Sequence, residues 1–535
     1  MNPPESSDDA ASAIRQAVAL ASGTNATISH DDALMRISTR QLEQVLHDSF
    51  QGPTQDVLTT GLGASPGAAV GAIVLNADEA MMATDDVILV REETSPADVH
   101  GMAVAVGILT TRGGLASHAA VVARGWGKPA VCGAEGIEIR SDHILVNGER
   151  IEVGETISID GQSGHVMRGA IKSTEAEDIP EIETLLAWAD ESRNITIRAN
   201  ADTAADARVA RTNGAEGIGL CRTEHMFLTE ERLPVIQSMI LSSNPDVEAK
   251  ALKELREAQR TDFCDLLGEM DGLPVTVRLL DPPLHEFLPE LEELVAAAAR
   301  NELDADGEAM LQAARKWRER NPMLGTRGVR LAWLKPGLYE MQVEALLDAV
   351  SERISAGGRP IVEIMIPLTV SANELAGARK WIESVLQRHP EAVSVKIGTM
   401  IETPRAALVA DEMAHHADFF SFGTNDLTQL TFGFSRDDIE NRIMSLYLQE
   451  ELLDANPFQH VDSKAVIELV RTGIERGRTV KPDLSVGVCG EHGGDPASIE
   501  LLAVAGVDYV SCSPPRIPIA RLAAAQIAIK TRADR

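Results

Sequence analysis

Residues 360–404 read PIVEIMIPLTVSANELAGARKWIESVLQRHPEAVSVKIGTMIETP. Two runs rich in Ile and Val, residues 360–368 and 394–404, flank the helix-forming stretch 372–387. Short β-branched runs that alternate with a helix are typical of parallel strands joined by a crossover helix. This stretch therefore predicts an α/β fold with a parallel sheet.

The same alternation extends over the C-terminal part of the chain. The strand candidates are residues 195–200, 217–224, 274–281, 360–368, 394–404, 418–426, 485–493 and 508–514. Eight such strands with helices between them predict a closed (β/α)8 TIM barrel over residues 194–535.

Polar residues follow these apolar runs on their C-terminal side. They are Asn200, Arg222, Arg278, Glu402, Asn425, Asp426 and Cys489. In barrels of this type the C-terminal ends of the strands form the active face. Arginines, carboxylates and a thiol at these positions predict a catalytic site rather than ordinary solvent-facing loops.

Upstream of the barrel the pattern changes to short apolar runs between glycines. The runs are residues 68–77, 85–92, 105–111, 128–133, 143–153 and 155–160. They predict a small mixed α/β domain over residues 54–170. The acidic stretch 171–193 predicts a linker helix between mobile units, and residues 1–53 predict a short helical segment with helices at 7–22 and 38–50.

Composition excludes several classes of function. The chain has 535 residues, with 49 basic and 81 acidic side chains and a formal net charge of −32. We therefore expect no binding to nucleic acid or to an anionic membrane, since both need a basic face. Five cysteines without CxxC spacing, no signal pattern and no apolar run of about 20 residues predict a soluble cytoplasmic protein.

The segment TTRGGLASHAAVVARGWGKPAVCG, residues 110–133, places His118 at the start of an apolar helix. Backbone N–H groups and the positive end of a helix favour an anion at that position. A phosphoryl group on the imidazole would meet these donors, while Gly113 and Gly114 would let a substrate approach closely. Ser117 is expected to cap the helix.

Residues 113–131 closely resemble the phosphohistidine motif of phosphoenolpyruvate-utilising enzymes of the pyruvate, phosphate dikinase type. The resemblance extends from about Asp32 to the C-terminus. Its specific segments are residues 61–69, 110–133, 214–227, 278–289, 321–328, 398–408, 422–438, 486–496 and 508–526. It implies a swivelling phosphohistidine domain followed by the barrel, and barrels of this family commonly form homodimers.

The resemblance also implies roles for residues at the barrel mouth. Arg222, Arg278 and Arg327 would bind the phosphate and carboxylate of phosphoenolpyruvate, which suits the bidentate guanidinium group. Glu402 and Asp426 would hold Mg²⁺ together with substrate oxygens. Further substrate contacts would come from Gly423, Thr424, Asn425 and Asp426, and Asp281 would orient Arg278.

By the same resemblance, Cys489 donates a proton to the pyruvate enolate that remains after phosphoryl transfer to His118. In the reverse direction its thiolate would remove a methyl proton from pyruvate. A simple role as a buried core residue suits Cys132 and Cys264 better, because Cys489 ends a barrel strand beside Gly490 and Glu491.

Two departures from the family pattern affect the expected reaction. Ala116 stands where the family usually has threonine, which puts regulation through that hydroxyl in doubt. The dikinases carry an ATP-grasp domain where residues 1–53 stand here, so the ATP and phosphate half-reaction is expected in trans.

Three alternatives stay open for the other participant. The first is a separate ATP-grasp nucleotide-binding subunit, and the second is a small phosphocarrier protein, as for Enzyme I. In the third, the chain is a non-catalytic regulatory half-enzyme. The interval between Gly61 and His118 is too short for the carrier-binding helical insertion of Enzyme I.

Overall fold

The N-terminal segment folds into three short helices. The computed structural model describes residues 7–24, 26–50, 56–94, 98–114, 117–174, 179–227, 229, 231–241, 245–283, 287–288, 291–319, 321–390 and 395–533. The helices are α1 (Ser7–Ala21), α2 (His30–Arg36) and α3 (Thr39–Val45). Two lie in the predicted helical stretches and α2 is additional. Ser29 and Ser38 begin α2 and α3 with capping boxes, which helps such short helices to form.

The next part of the chain is a mixed α/β domain. With the short strands that enter and leave it, its strands are β1 (Ser49–Phe50), β2 (Val57–Thr60), β3 (Leu62–Ser65), β4 (Ala68–Val74), β5 (Val87–Arg91), β6 (Gly107–Thr110), β7 (Ala130–Cys132), β8 (Ile137–Ile139), β9 (His143–Val146), β10 (Glu149–Glu152), β11 (Thr156–Asp160), β12 (His165–Arg168) and β13 (Ser173–Thr174). Its helices are α4 (Ala77–Met82), α5 (Val99–Val104) and α6 (His118–Trp126).

An eight-stranded sheet organises this domain, in the order β2-β12-β11-β4-β5-β6-β7-β3. Strands β4 to β7 are parallel to one another, and β8, β9 and β10 form a separate antiparallel sheet. All six predicted apolar runs contain strands, and both faces of the central strands are buried. The connections into and out of the domain pair with each other, because β1 lies antiparallel to β13.

The rest of the chain is the barrel with its surrounding helices. Its strands are β14 (Thr196–Asn200), β15 (Ile218–Arg222), β16 (Pro274–Arg278), β17 (Ile361–Ile366), β18 (Lys396–Ile401), β19 (Phe419–Phe422), β20 (Ser485–Val488) and β21 (Tyr509–Cys512). The helices are α7 (Pro180–Ser192), α8 (Ala204–Thr212), α9 (Leu233–Leu241), α10 (Pro245–Glu269), α11 (Leu291–Ala299), α12 (Ala305–Trp317), α13 (Val329–Leu334), α14 (Leu338–Ser355), α15 (Ala372–Leu386), α16 (Pro404–Leu408), α17 (Ala410–Ala414), α18 (Thr424–Phe432), α19 (Arg436–Arg442), α20 (Met444–Gln449), α21 (Val466–Val480), α22 (Pro496–Ala505) and α23 (Ile517–Ala533).

The predicted (β/α)8 barrel is confirmed. All eight strand candidates form strands, each pairs in parallel with its sequence neighbour, and β14 pairs with β21 to close the barrel. The chain makes its longest excursion between β16 and β17, where α11 to α14 follow one another. Short 3-10 helices at His225–Phe227, Glu491–Gly494 and Pro514–Arg516 follow β15, β20 and β21.

Helix α7 occupies part of the predicted linker and is firmly packed. Leu185 and Ala189 are fully buried in an apolar core that α7 shares with α1, α2, α3 and α23. Asp190 of α7 accepts hydrogen bonds from Arg521 of α23. The N-terminal helices and α7 are thereby joined to the barrel, and a swivelling role for residues 171–193 stays a prediction. Among the described residues, no helix is long and apolar enough to span a lipid bilayer.

We expect Leu185→Ala to destabilise the fold by about 2–5 kcal/mol, because it leaves a cavity between α7 and its neighbours. Unfolding in urea would measure the loss. The exposed Glu191 lies on the same helix, and Glu191→Ala should change stability by less than about 0.5 kcal/mol. Equal effects of the two substitutions would contradict a packed α7.

Candidate active site at the mouth of the barrel

The C-terminal ends of the barrel strands bring the predicted site residues to one face. Arg222 and Arg278 are the last residues of β15 and β16, Glu402 follows β18 directly, and Cys489 follows β20. Gly423 follows β19, and Thr424, Asn425 and Asp426 form the first turn of α18. Arg327 reaches the same face from the excursion between β16 and β17. Residues that are distant in sequence are therefore neighbours here.

Asp281 lies between two arginines of the site. One carboxylate oxygen, Oδ2, is 3.1 Å from Nη1 of Arg278, and the same oxygen accepts a hydrogen bond from Nη2 of Arg327. The side chain of Asp281 is only 3% exposed. Burial alone would raise the pKa of Asp281, but the two guanidinium groups outweigh burial and hold the pKa below its ordinary value. Asp281 thus orients both arginines, whereas the sequence motifs imply only its contact with Arg278.

Arg278 has a second partner, Glu224, which is not among the residues predicted from sequence. Its Nη2 donates a hydrogen bond to the buried carboxylate of Glu224, two residues after Arg222. The other oxygen of Glu224 is buried without a protein hydrogen-bond partner. Burial by itself would lower the pKa of Arg278, but Glu224 and Asp281 raise it instead. The sequence signal for Glu224 is its position two residues after Arg222, which ends a strand.

Arg222 is held by Asp202. The Arg222 backbone N–H donates to Oδ1 of Asp202 at 2.6 Å, and its Nη1 lies 3.3 Å from Oδ2. His225 also contacts Oδ2 through Nδ1 at 2.8 Å. Burial would raise the pKa of Asp202, but Arg222 and His225 together lower it to about 2. Asp202 therefore stays ionised and fixes the partly exposed Arg222 side chain at the barrel mouth.

Glu402 is fully buried, and one of its oxygens is fixed by the backbone. The N–H of Leu368 donates to Oε1 of Glu402 at 2.6 Å. Leu368 has a φ of +58°, in the left-handed region that costs a non-glycine residue about 1–2 kcal/mol. This conformation after β17 directs the N–H at Glu402, and no sequence signal indicates it.

Asp426 and Gly423 are further neighbours of Glu402. Asp426 accepts a hydrogen bond from Nη1 of Arg327 at 2.9 Å. A Cβ atom at Gly423 would lie only 2.4 Å from Oε2 of Glu402, so this position requires glycine. The open N-terminus of α18 faces the same region, and its first-turn N–H groups suit an anionic substrate.

The donor set fits a magnesium ion. Oε2 of Glu402 is buried without a protein hydrogen-bond partner. Burial, and after it the neighbouring Asp426 and Asp281, raise the pKa of Glu402. The charged groups of the cluster are Glu224, Asp281, Glu402 and Asp426 against Arg278 and Arg327. Two more carboxylates than guanidinium groups suit a divalent cation that takes further oxygens from substrate and water.

Cys489 lies in apolar surroundings beside this charged cluster. It is 3% exposed and packs with Leu220, Met365, Met400 and Phe419. Its Sγ lies 3.8 Å from the carbonyl oxygen of Phe422. Burial raises the pKa of Cys489 to about 11, so the thiol is protonated at neutral pH. A neutral thiol at the active face suits a proton donor.

A buried histidine supports the loop after β20. Nδ1 of His492 is 2.8 Å from the Thr424 hydroxyl, and Nε2 is 3.0 Å from the Pro457 carbonyl oxygen. Burial lowers the pKa of His492 to about 4, so the ring is neutral. The carbonyl can only accept, so Nε2 carries the proton and the Thr424 hydroxyl donates to Nδ1. His492 thereby links the first turn of α18 to the loop that carries Cys489.

The predicted helix start at His118 is confirmed, since His118 is the first residue of α6. Ser117 caps the helix, and its Oγ accepts a hydrogen bond from the Ala120 N–H. The His118 side chain and Ala116 lie outside the described part of the structure. The other end of α6 reaches the barrel, because Gly127 lies against Pro515 in the 3-10 helix after β21.

Comparisons with known proteins identify the class. Residues 176–529 match the family described as PEP-utilising enzyme, PEP-binding domain, and residues 83–164 match PEP-utilising enzyme, mobile domain. The chain therefore belongs to the PEP-utilising enzymes, as its sequence motifs imply.

Individual relatives within the family are pyruvate, phosphate dikinases. The chain is 48% identical to pyruvate, phosphate dikinase of Rhizobium meliloti (strain 1021) over 534 residues, which cover 98% of this chain and 59% of that protein. It is 48% identical to the chloroplastic pyruvate, phosphate dikinase 1 of Oryza sativa subsp. japonica over 92% of this chain and 54% of that protein. The chain is 47% identical to the pyruvate, phosphate dikinase of Entamoeba histolytica over 94% of this chain and 59% of that protein. The chain spans somewhat more than half the length of these relatives.

We expect Asp202→Asn to destabilise the protein by about 2 kcal/mol at pH 7, from the lowered pKa of Asp202. Because the folded-state pKa is depressed, this stabilisation is present above about pH 4 and is lost as pH falls towards 2. Urea unfolding across pH would measure the difference from wild type. Asp483→Asn, at an exposed position, is the control. If the difference in unfolding free energy between Asp202→Asn and wild type does not decrease in acid, the stabilising role of ionised Asp202 is contradicted.

We expect Glu402→Gln to weaken binding of Mn²⁺, used as a probe for Mg²⁺, by at least about tenfold. The substitution keeps the acceptor for the Leu368 N–H but removes the negative charge beside Asp426. Electron paramagnetic resonance of free Mn²⁺ would measure affinity. Glu412→Gln, an exposed change, should leave it unaltered. Unchanged affinity in Glu402→Gln would reject Glu402 as a metal ligand.

Proposed function

We propose that this protein is an Mg²⁺-dependent phosphotransferase that interconverts phosphoenolpyruvate and pyruvate through phospho-His118. The observation that carries the proposal is the convergence at one barrel mouth of Arg222, Arg278, Arg327 and Cys489. The family match and the dikinase relatives support it. Since the chain spans only part of those relatives, the activity is assigned as a proposal.

The arginines would bind the anionic groups of the substrate. Arg278 and Arg327 are nearly buried, at 9% and 10% side-chain exposure, and Asp281 holds both in place. Phosphate oxygens would compete with Glu224 and Asp426 for their outer N–H groups. Arg222, which is 29% exposed, can reach the part of the substrate nearer solvent. Positive charge is thus available locally despite the acidic chain.

Cys489 would complete the chemistry at carbon. Transfer of the phosphoryl group breaks the P–O bond of phosphoenolpyruvate, forms an N–P bond on His118 and leaves the pyruvate enolate. The Cys489 thiol then gives its proton to C3 of the enolate and becomes a thiolate. In the reverse direction the thiolate removes a methyl proton from pyruvate. Mg²⁺, held by Glu402 and Asp426, would offset negative charge on the phosphate and enolate oxygens.

The second half-reaction is proposed to use ATP and phosphate in trans, through a separate nucleotide-binding partner. The support for ATP chemistry is the set of dikinase relatives. We also propose a cytoplasmic location and a homodimer through the barrel. All five cysteines are free thiols in the structure, which suits a reducing compartment.

We expect ³²P-phosphoenolpyruvate with Mg²⁺ to label the protein on His118. A phosphohistidine label is acid-labile and base-stable, and His118→Asn should carry none. His415→Asn, which changes an exposed histidine after α17, should retain the label. Failure to label the wild type, or equal labelling of His118→Asn, would reject the proposed function. Label from ATP alone would instead contradict the need for a partner.

We expect Cys489→Ala to abolish incorporation of solvent deuterium into pyruvate while leaving pyruvate binding within about threefold of wild type, because the arginines and carboxylates remain. NMR of the pyruvate methyl group would follow exchange. Cys264→Ala changes a thiol on α10, away from the barrel mouth, and should exchange normally. Undiminished exchange in Cys489→Ala would reject the proton-donor assignment.

A further inference from the structure

The last turn of α6 makes a close contact with the barrel. Gly127 ends the helix with a φ of +65°, and its N–H caps the helix by donating to the carbonyl oxygens of Ala123 and Arg124. A Cβ atom at Gly127 would lie 2.9 Å from Cγ and 3.1 Å from Cβ of Pro515. Pro515 belongs to the 3-10 helix after β21, on the active face. The phosphohistidine helix therefore meets the barrel at a point with no room for a side chain.

Arg124 lies one turn before Gly127 and faces the same surface. Its Nη1 donates to the carbonyl oxygen of Ala64 at 2.8 Å, which fixes the side chain within its own domain. Burial and Arg516 lower the pKa of Arg124, while Glu491 and Glu440 of the barrel oppose that effect. The guanidinium group thus lies near barrel charges of both signs.

These two carboxylates form a preorganised acidic pair. Arg436 holds both, with Nη2 at 3.1 Å from Glu491 and Nε at 2.9 Å from Glu440. Glu440 also accepts a hydrogen bond from Nδ2 of Asn456 at 2.9 Å. Three surrounding interactions therefore keep the pair in place beside the Cys489 loop, independently of the phosphohistidine domain.

The N-terminal helices complete this surface. Arg516, next to Pro515, is 3.2 Å through Nε from the carbonyl oxygen of Gly494 and 2.5 Å through Nη1 from Glu43 of α3. A small cavity between α3, α6 and the barrel is lined by residues of all three parts, among them His47, Arg124 and Arg516. We call Pro515, Arg516, Glu491 and Glu440 the seat.

We propose that Gly127 is a positioning residue, which docks the phosphohistidine helix on the seat so that His118 can exchange its phosphoryl group at the barrel mouth. This inference rests on the proposed function. Gly127 supplies the close approach to Pro515. It does not touch the reacting atoms, and it acts by placing α6 over the end of β21.

Helix capping alone would also favour glycine at position 127, so the test separates capping from docking. Asparagine tolerates the left-handed conformation, hence Gly127→Asn should preserve the cap while its side chain meets Pro515. Gly148, in the turn between β9 and β10, has a φ of +87° and nothing within 4 Å of its missing Cβ. Gly148→Asn is therefore a matched control for backbone effects.

Pro515→Phe provides a second variant from the other side of the contact. It enlarges the seat without any change in the phosphohistidine domain, so it cannot act through the cap of α6. Its effect should match that of Gly127→Asn. Circular dichroism and thermal unfolding of each variant would verify that the protein remains folded.

Two measurements on the full chain test the inference. In small-angle X-ray scattering, Gly127→Asn and Pro515→Phe should have a larger radius of gyration than wild type and Gly148→Asn. Labelling of His118 by ³²P-phosphoenolpyruvate should slow by about 100-fold in both, with Mn²⁺ affinity unchanged, because misplacement of a reacting group by about 1 Å can cost this factor.

The outcomes separate the two proposals. A wild type that takes no label rejects the proposed function, but the scattering still tests docking. Scattering curves of Gly127→Asn and Pro515→Phe that match wild type overturn the docking inference even if labelling falls. Expanded variants that label at the wild-type rate overturn the positioning role of this contact.

Discussion

The arrangement of the barrel mouth depends on the ion pairs that Asp281 makes with Arg278 and Arg327. Arg278 comes from the end of a strand, whereas Arg327 comes from the long excursion after it, and Asp281 contacts both. Each arginine also has a carboxylate of its own, Glu224 for Arg278 and Asp426 for Arg327, whereas Asp281 offsets the repulsion between the two nearly buried guanidinium groups. This shared carboxylate helps to fix the excursion against the barrel and keeps both guanidinium groups on the same face.

The sequence was sufficient for the fold because the barrel repeats a local pattern. Each strand is a short β-branched run between helices, and closure follows from eight such units. The additional helix α2 was harder to predict, because its seven residues depend on a capping box and on packing against α7 and α23. The packing of α7 could not be predicted from its acidic sequence either, because its apolar face contacts residues that are distant along the chain.

Prediction of the site depended on whether a residue is marked by strand position or by tertiary contact. Strand ends and family motifs place Arg222, Glu402 and Cys489 at the barrel mouth. Glu224 and Asp202 act through partners brought together by folding, and they carry little local signal. The left-handed backbone of Leu368 has no signal at all, because leucine is a poor residue for that conformation and only the surrounding packing maintains it.

A charged cluster and an apolar environment lie side by side at the barrel mouth, and the proposed reaction needs both. On one side the ionised groups contact one another directly, and Asp281 remains anionic between two arginines. Around Cys489 the neighbours are leucine, methionine and phenylalanine side chains, so burial favours the neutral thiol. Anionic oxygens of a substrate would bind on the charged side while its C3 atom faces the apolar side. The boundary between the two environments would therefore orient the substrate, with phosphate towards the arginines and the reacting carbon towards the proton.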